Sequence, residues 1–264
     1  MEIPKINSLF SLNERVAIVT GSGTGIGRGI ALRLAQAGAD VIIAGRRQSV
    51  IDEVSAQIKS MGRRSMAIST DITKKSQIID LIQKVMDAFG KIDILVNNAG
   101  IANIAPFTEM TDEMRDQVWN TNIKGTWDCT KAVVPIMIKQ RYGRIINISS
   151  VTGPMVSNKG WTAYSASKGA ISGLTRGLAL DLAEYGITAN AILPGWISRG
   201  IPLTTPEAIE NSKKLSKSIP LGRVGTPEEV GNLAVFLASE AASYITGTEI
   251  VIDGANIIQE RKIT

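Results

Sequence analysis

Histidine is absent from the 264 residues, and cysteine occurs once, at Cys129. These two facts remove several chemistries. A Ser-His-Asp triad cannot be assembled, and a zinc site is out of reach. No intramolecular disulfide can form, which fits a reducing compartment. No segment approaches the roughly 20 apolar residues that span a bilayer. The first twelve residues, MEIPKINSLFSL, lack the charged start and long apolar stretch of a signal peptide. A soluble, cytoplasmic protein is expected. A long basic run is missing too. The net charge is +5, yet no basic run exceeds a doublet: Arg46-Arg47, Arg63-Arg64, Lys74-Lys75, Lys213-Lys214 and Arg261-Lys262. Neither nucleic acid nor membrane is the expected partner. The excess fits a mildly cationic surface or an anionic cofactor.

What is present is alternation. Short Val/Ile/Leu-rich runs at 15–20, 40–45, 65–70, 93–98, 143–149, 187–193 and 249–253 read as strands. Amphipathic stretches at 25–38, 48–61, 75–89, 111–140, 162–185 and 227–238 read as helices. Near-continuous apolar strands are buried on both faces, as in a parallel sheet covered by helices. Strict βα alternation predicts an α/β doubly wound Rossmann fold, with the whole of 1–264 as one domain. Residues 1–12 form an N-terminal extension and 198–218 a substrate loop. TDEM at 111–114 and TPEE at 226–229 are helix starts, the second a capping box. Pro135 predicts a kink or an early stop in the 111–140 helix.

Two stretches carry chemistry. TGSGTGIG (20–27) joins the first strand to the first helix. Gly21 permits a tight turn. Gly25 and Gly27 let backbone and helix approach a pyrophosphate, whose charge a helix N-terminus favours. The second stretch is YSASK (164–168). Tyr164 and Lys168 are four apart on a predicted helix and so share a face. A cation beside a phenol lowers its pKa towards the working range. Tyr164 can then exchange a proton with a carbonyl or an alcohol, a task that needs no histidine.

The glycine spacing is T-G-x-x-x-G-x-G. With NNAG (97–100), NTNIKG (120–125), INISS (146–150), YSASK, LPGWIS (193–198) and IPLGRVGTPEEVG (219–231), the chain resembles the short-chain dehydrogenase/reductase family from about Leu12 to Gly254. The resemblance implies a seven-stranded parallel sheet, a homotetramer or homodimer, and a catalytic tetrad of Asn122, Ser150, Tyr164 and Lys168. Ser150 would bond the substrate oxygen, with Ser149 as its competitor. Asn122 would hold a water against the lysine. Tyr164 and Lys168 would also meet the cofactor, Lys168 through the nicotinamide ribose. Thr24 and Ile26 join Gly21, Gly25 and Gly27 in the phosphate loop. Asp71 would meet the adenine amino group with Ile72 stacking nearby. Asn98, Ala99 and Gly100 would line the adenosine ribose, and Pro194, Gly195 and Ile197 would reach the cofactor from LPGWIS. From Ser150 to Tyr164 is fourteen residues, one more than in many relatives, so 151–163 is expected to hold an insertion.

The end of the second strand selects the cofactor. Gly45 stands where NAD-preferring relatives carry an acid, and Arg46 and Arg47 follow. A guanidinium suits a 2′-phosphate, and Ser22 would add a hydroxyl. NADP(H) is therefore expected, with NAD(H) as the alternative because Thr24 is not basic. The substrate is a small ketone or alcohol. LFSLNERVAIVTG and PFTEMTDE look like the sugar-acid group, such as gluconate 5-dehydrogenase. 3-Oxoacyl-carrier-protein reductases and other carbonyl or steroid reductases are the alternatives. Arg141 matches one carrier-protein contact of those reductases, and Tyr185 stands at the other. Ala102, Asn103, residues 154–161, Trp196 and Arg199 are substrate candidates. A non-catalytic NADP sensor is the reading from a different class.

Overall fold

A computed structural model describes residues 5–198 and 205–259. After a short helix α1 (Ile6–Leu9), strands β1 (Val16–Thr20), β2 (Asp40–Gly45) and β3 (Ser65–Ser69) alternate with helices α2 (Gly25–Gln36) and α3 (Gln48–Ser60). Helix α4 (Lys75–Phe89) leads to β4 (Ile94–Asn97). Helices α5 (Asp112–Trp119) and α6 (Thr126–Gln140) precede β5 (Gly143–Ile148). Helix α7 (Thr162–Leu182), β6 (Ile187–Pro194), α8 (Pro206–Lys217), α9 (Pro227–Ala238) and β7 (Glu249–Ile252) complete the chain. The seven strands are all parallel, in the order β3-β2-β1-β4-β5-β6-β7.

The strand period of two sorts the core into two layers. Ala17 and Val19 point to one face with Ile30 and Leu34 of α2, Ile51 and Val54 of α3, and Val230 and Leu237 of α9. Val16 and Ile18 point to the other with Leu81 of α4, Val133 of α6 and Ala179 of α7. Every residue of β1, β5 and β6 is buried, the polar Asn147, Thr188 and Asn190 included. The strand order reverses between β1 and β4, which opens a crevice beyond their C-terminal ends.

Gly29 and Gly231 explain the closeness of α2 and α9. A Cβ on Gly29 would lie 2.5 Å from Pro227, and one on Gly231 would lie 2.8 Å from the Gly29 carbonyl oxygen. Gly29→Ala is therefore expected to cost about 1–3 kcal/mol by overpacking, despite alanine's better helix propensity. Urea denaturation measures it; unchanged stability would mean that the two helices separate freely.

Three sequence expectations need correction. The 111–140 helix is not continuous, because a π-helical turn occupies Asn120–Gly125. Of the kink or early stop expected at Pro135, the stop does not occur, since α6 runs on to Gln140. The carbonyl that Pro135 deprives of a partner belongs to Lys131, an exposed residue that water can satisfy. Part of the 198–218 loop is the helix α8. Both helix-start motifs hold: Thr111 accepts from the Met114 amide, and Thr226 and Glu229 form a reciprocal capping box. Among the described residues no helix is long and apolar enough to cross a membrane.

Candidate active site

The β1–α2 turn is a cradle that side chains would fill. Gly21 and Gly25 have φ of +63° and +55°, the left-handed region glycine tolerates. A Cβ on Gly27 would lie 2.4 Å from Asn98 Nδ2 and 2.5 Å from the Gly21 carbonyl oxygen. Asn98 Nδ2 donates to the carbonyls of Thr20 (2.9 Å) and Gly21 (3.1 Å). Thr20 Oγ1 accepts from the Asn98 and Ala99 amides at 3.0 and 3.1 Å. The turn is thus clamped to the end of β4. Thr24 is the N-cap of α2, but its side chain caps nothing, and no acid stands in the first turn. The amides at this helix start suit an anion.

A groove of about 1250 Å³ begins there. Gly21, Thr24, Gly25, Ile26 and Gly27 line it. Arg46 and Arg47 stand at one end with Asp71, Ile72 and Lys74, and Asn98, Ala99, Gly100 and Ile197 continue it. Burial pushes the Asp71 carboxyl up, but hydrogen bonds from the Thr73 amide (3.0 Å) and hydroxyl (2.8 Å) outweigh it, together with the Arg46 and Lys74 cations. The group ends below the usual carboxylate range. These residues fit a dinucleotide: a glycine-lined turn, an uncapped helix start and cations at the far end.

Some expected contacts are not made. Ser22 is fully buried, and its hydroxyl donates to the Val19 carbonyl at 2.7 Å, so it does not face a phosphate in the groove. Ile72 lines the groove but is buried, and its side chain fills the space beside Gly125 instead of presenting a stacking face. Pro194 is buried at the end of β6, and Gly195 packs on Asp253. Arg199 lies outside the described residues.

Ser150, Tyr164 and Lys168 gather at the C-terminal end of β5. The Ser149–Ser150 competition resolves by direction. Ser149 is buried and its hydroxyl donates to the Lys168 carbonyl at 3.0 Å, whereas the Ser150 hydroxyl stands close enough to the Tyr164 phenol to lower its pKa. Ser150 Oγ also accepts from the Thr152 amide at 3.0 Å. Burial pushes the Tyr164 phenol up, and the Ser150 hydroxyl offsets this only in part. The phenol therefore ends above its ordinary range, not lowered towards the working range as the sequence leads one to expect. The Lys168 ammonium sits 5.6 Å from the Tyr164 ring centre and donates to the Ile148 carbonyl at 2.7 Å. Asn122 is buried in the π-helical turn. Its Oδ1 accepts from the Ile101 amide (2.9 Å), and its Nδ2 donates to the Ile101 carbonyl (2.9 Å) and Ser167 Oγ (3.0 Å). The Asn122 side chain thus fixes backbone and helix rather than offering a free amide to water. Cys129 is no rival nucleophile, since burial pushes its thiol up to about 12.

Lys168 is 5% exposed, and burial brings its ammonium down to about 8. In the unfolded chain it keeps its proton to about 10.4. Between these values the unfolded state binds more protons, so the folded state gains stability as pH rises. Lys168→Met removes that gain. The stability of the wild type relative to the variant should therefore climb from pH 8 to pH 10 in urea denaturation. A flat difference would mean that burial does not depress the lysine.

Sequence reading missed the supports. A chain of side-chain hydrogen bonds runs Thr130–Asn97–Asn147–Thr175, each 2.9 Å, and ties α6 and α7 to β4 and β5 beneath the site. The polar residues inside otherwise apolar strands were its only signal. Trp161 meets the Tyr164 ring edge-on, with ring centres 5.3 Å apart. Trp196 is 38% exposed. Asn103 is spent on the Met114 carbonyl and Gln117 Oε1. Lys213, Lys214 and Lys217 are an exposed face of α8. The Arg141 guanidinium lies over the Tyr185 ring.

The profile of a protein family described as "Enoyl-(Acyl carrier protein) reductase" matches residues 21–255. Oxidoreductase UcpA of Salmonella typhimurium is 42% identical over 257 residues, covering 94% of this chain and 97% of the relative. The 3-oxoacyl-[acyl-carrier-protein] reductase FabG of Thermotoga maritima is 40% identical over 247 residues, covering 94% and 99%. Among solved structures, a gluconate 5-dehydrogenase from Burkholderia cenocepacia, in complex with NADP and tartrate, superposes with a TM-score of 0.89 at 32% identity. It covers 97% of this chain and all of that one.

Proposed function

Since the chain belongs to the short-chain dehydrogenase/reductase family of oxidoreductases, we propose that it interconverts a ketone and a secondary alcohol with NADP(H), Tyr164 exchanging the proton. The observation that carries this reading is the closeness of the Ser150 hydroxyl to the Tyr164 phenol, whose pKa it lowers, beside a buried Lys168. When bound, the nicotinamide supplies or takes the hydride. Gly21, Thr24, Gly25, Ile26 and Gly27 would hold its pyrophosphate, and Arg46 and Arg47 would hold a 2′-phosphate. Burial keeps the Tyr164 phenol neutral, which suits it to donate a proton to a carbonyl oxygen as negative charge develops there. Ser150 orients that oxygen. Lys168 balances the phenolate left behind, and the buried site makes its charge count for more than it would in water.

The NADP(H) preference is supported by Arg46 and Arg47 in the groove and by the NADP complex of the gluconate 5-dehydrogenase. That enzyme also supports a sugar-acid or polyol ketone as substrate. The FabG relative favours a second reading, a 3-oxoacyl thioester, but Tyr185 replaces a second basic contact and packs under Arg141. A homo-oligomer in the cytoplasm is the setting that fits family habit. Cβ atoms on Gly169, Gly173 and Gly177 of α7 would meet nothing within 4 Å, so that face is open to close packing.

The test uses NADPH carrying deuterium at its transferable position, with 5-ketogluconate, other keto-sugars, an acetoacetyl thioester and a steroid ketone. Deuterium on the carbinol carbon of one product supports the reading and names the substrate class. Binding without transfer to any ketone would bring the sensor reading forward.

A further inference from the structure

Helix α4 begins with charge of the wrong sign. Lys74 is its N-cap and Lys75 its first residue; no side chain caps it, and no acid stands in its first turn. N-caps select Ser, Thr, Asp or Asn, and cations are unfavourable at the positive end of a helix dipole. Local helix physics therefore does not account for Lys74. Its position in the groove does. Lys74 lines the same end as Arg46, Arg47 and Asp71. Among the described residues none of these three cations has an ion-pair partner.

Asp71 creates the need for a third cation. Thr73 locks its carboxylate at this end of the groove, where it would repel an incoming phosphate. We infer that Lys74 is a further determinant of preference for a 2′-phosphorylated dinucleotide: its ammonium offsets the Asp71 carboxylate, so that Arg46 and Arg47 act on the phosphate undiminished. The inference rests on the NADP(H) reading above. It matches the charges: three cations and one carboxylate leave two positive charges for a phosphate that carries close to two negative ones. Both Arg46 and Lys74 already act on Asp71 electrostatically.

The probes are 2′,5′-ADP and 5′-ADP, titrated calorimetrically into the full-length wild type, Lys74→Met, Asp71→Asn and the double variant at low ionic strength. The quantity read is the ratio of the two affinities, which cancels any loss common to both. Lys74→Met should lower the preference for 2′,5′-ADP by about two- to fivefold, the scale of one partly solvated charge. In the Asp71→Asn background the same substitution should lose most of that effect. An unchanged ratio in Lys74→Met overturns the inference. An undiminished effect in the Asp71→Asn background overturns the offset and makes Lys74 a direct phosphate contact. A wild type that does not distinguish the probes overturns the NADP(H) reading itself, and the inference falls with it.

Discussion

Tyr164→Phe is expected to lower kcat for carbonyl reduction by about 10²- to 10⁴-fold while NADPH still binds. That range is the usual contribution of a positioned proton donor. The substitution removes one oxygen and little else. The ring keeps its edge-on contact with Trp161, and Ser150 keeps its bond from the Thr152 amide. The loss should therefore fall on kcat, where transition-state interactions act. The pH profile gives a second readout. Burial holds the phenol above its ordinary range, so alcohol oxidation by the wild type should accelerate as pH rises and the phenolate forms. The variant should lack that rise. Steady-state rates with a fluorescence titration of NADPH separate the cases. A variant of near wild-type rate would remove Tyr164 from the chemistry.

The second large effect concerns the cofactor. Arg46→Ala should weaken NADP⁺ binding by about tenfold and leave NAD⁺ unchanged. A hydrogen bond to a charged group contributes about 1.5–3 kcal/mol, and an exposed arginine sits at the lower end. Removing Arg47 as well should deepen the loss. Added salt should shrink the wild-type preference, because both guanidiniums are solvated. Gly45→Asp is the sharper reversal. An acid there would meet a ribose hydroxyl and repel a 2′-phosphate. Its Cβ would lie 3.0 Å from Ile51 Cγ2, so Ile51 must yield slightly. Equal loss of both cofactors on Arg46→Ala would make the arginine a packing residue.

Much of the fold was legible because β and α periods differ and the glycines punctuate them. Each of the seven strands lies where its apolar run lies, within a residue or two at the ends. The π-helical turn at Asn120–Gly125 was not legible, since its cause is tertiary. Asn122 is drawn to the Ile101 backbone, and Gly125 accepts Ile72 at van der Waals contact. No periodicity within 111–140 carries that information. The site divides in the same way. Spacing alone could place Tyr164 and Lys168 on one face of α7. It could not say that Ser22 turns inward to Val19, or that the lysine is held by the Ile148 carbonyl. Those depend on where a hydroxyl or ammonium finds its acceptor, which is a property of the packed chain. Lys74 shows the converse. It is visible in sequence as half of a basic doublet, and only the groove gives it a neighbour to act on.

Reduction of a ketone by NADPH at Tyr164 is tested most directly by initial rates of NADPH and NADH oxidation, followed at the nicotinamide absorbance, over one panel of ketones at a fixed salt concentration. Turnover on one ketone class is expected, faster with NADPH than with NADH. Faster turnover with NADH, or none with either cofactor despite tight binding, would contradict it.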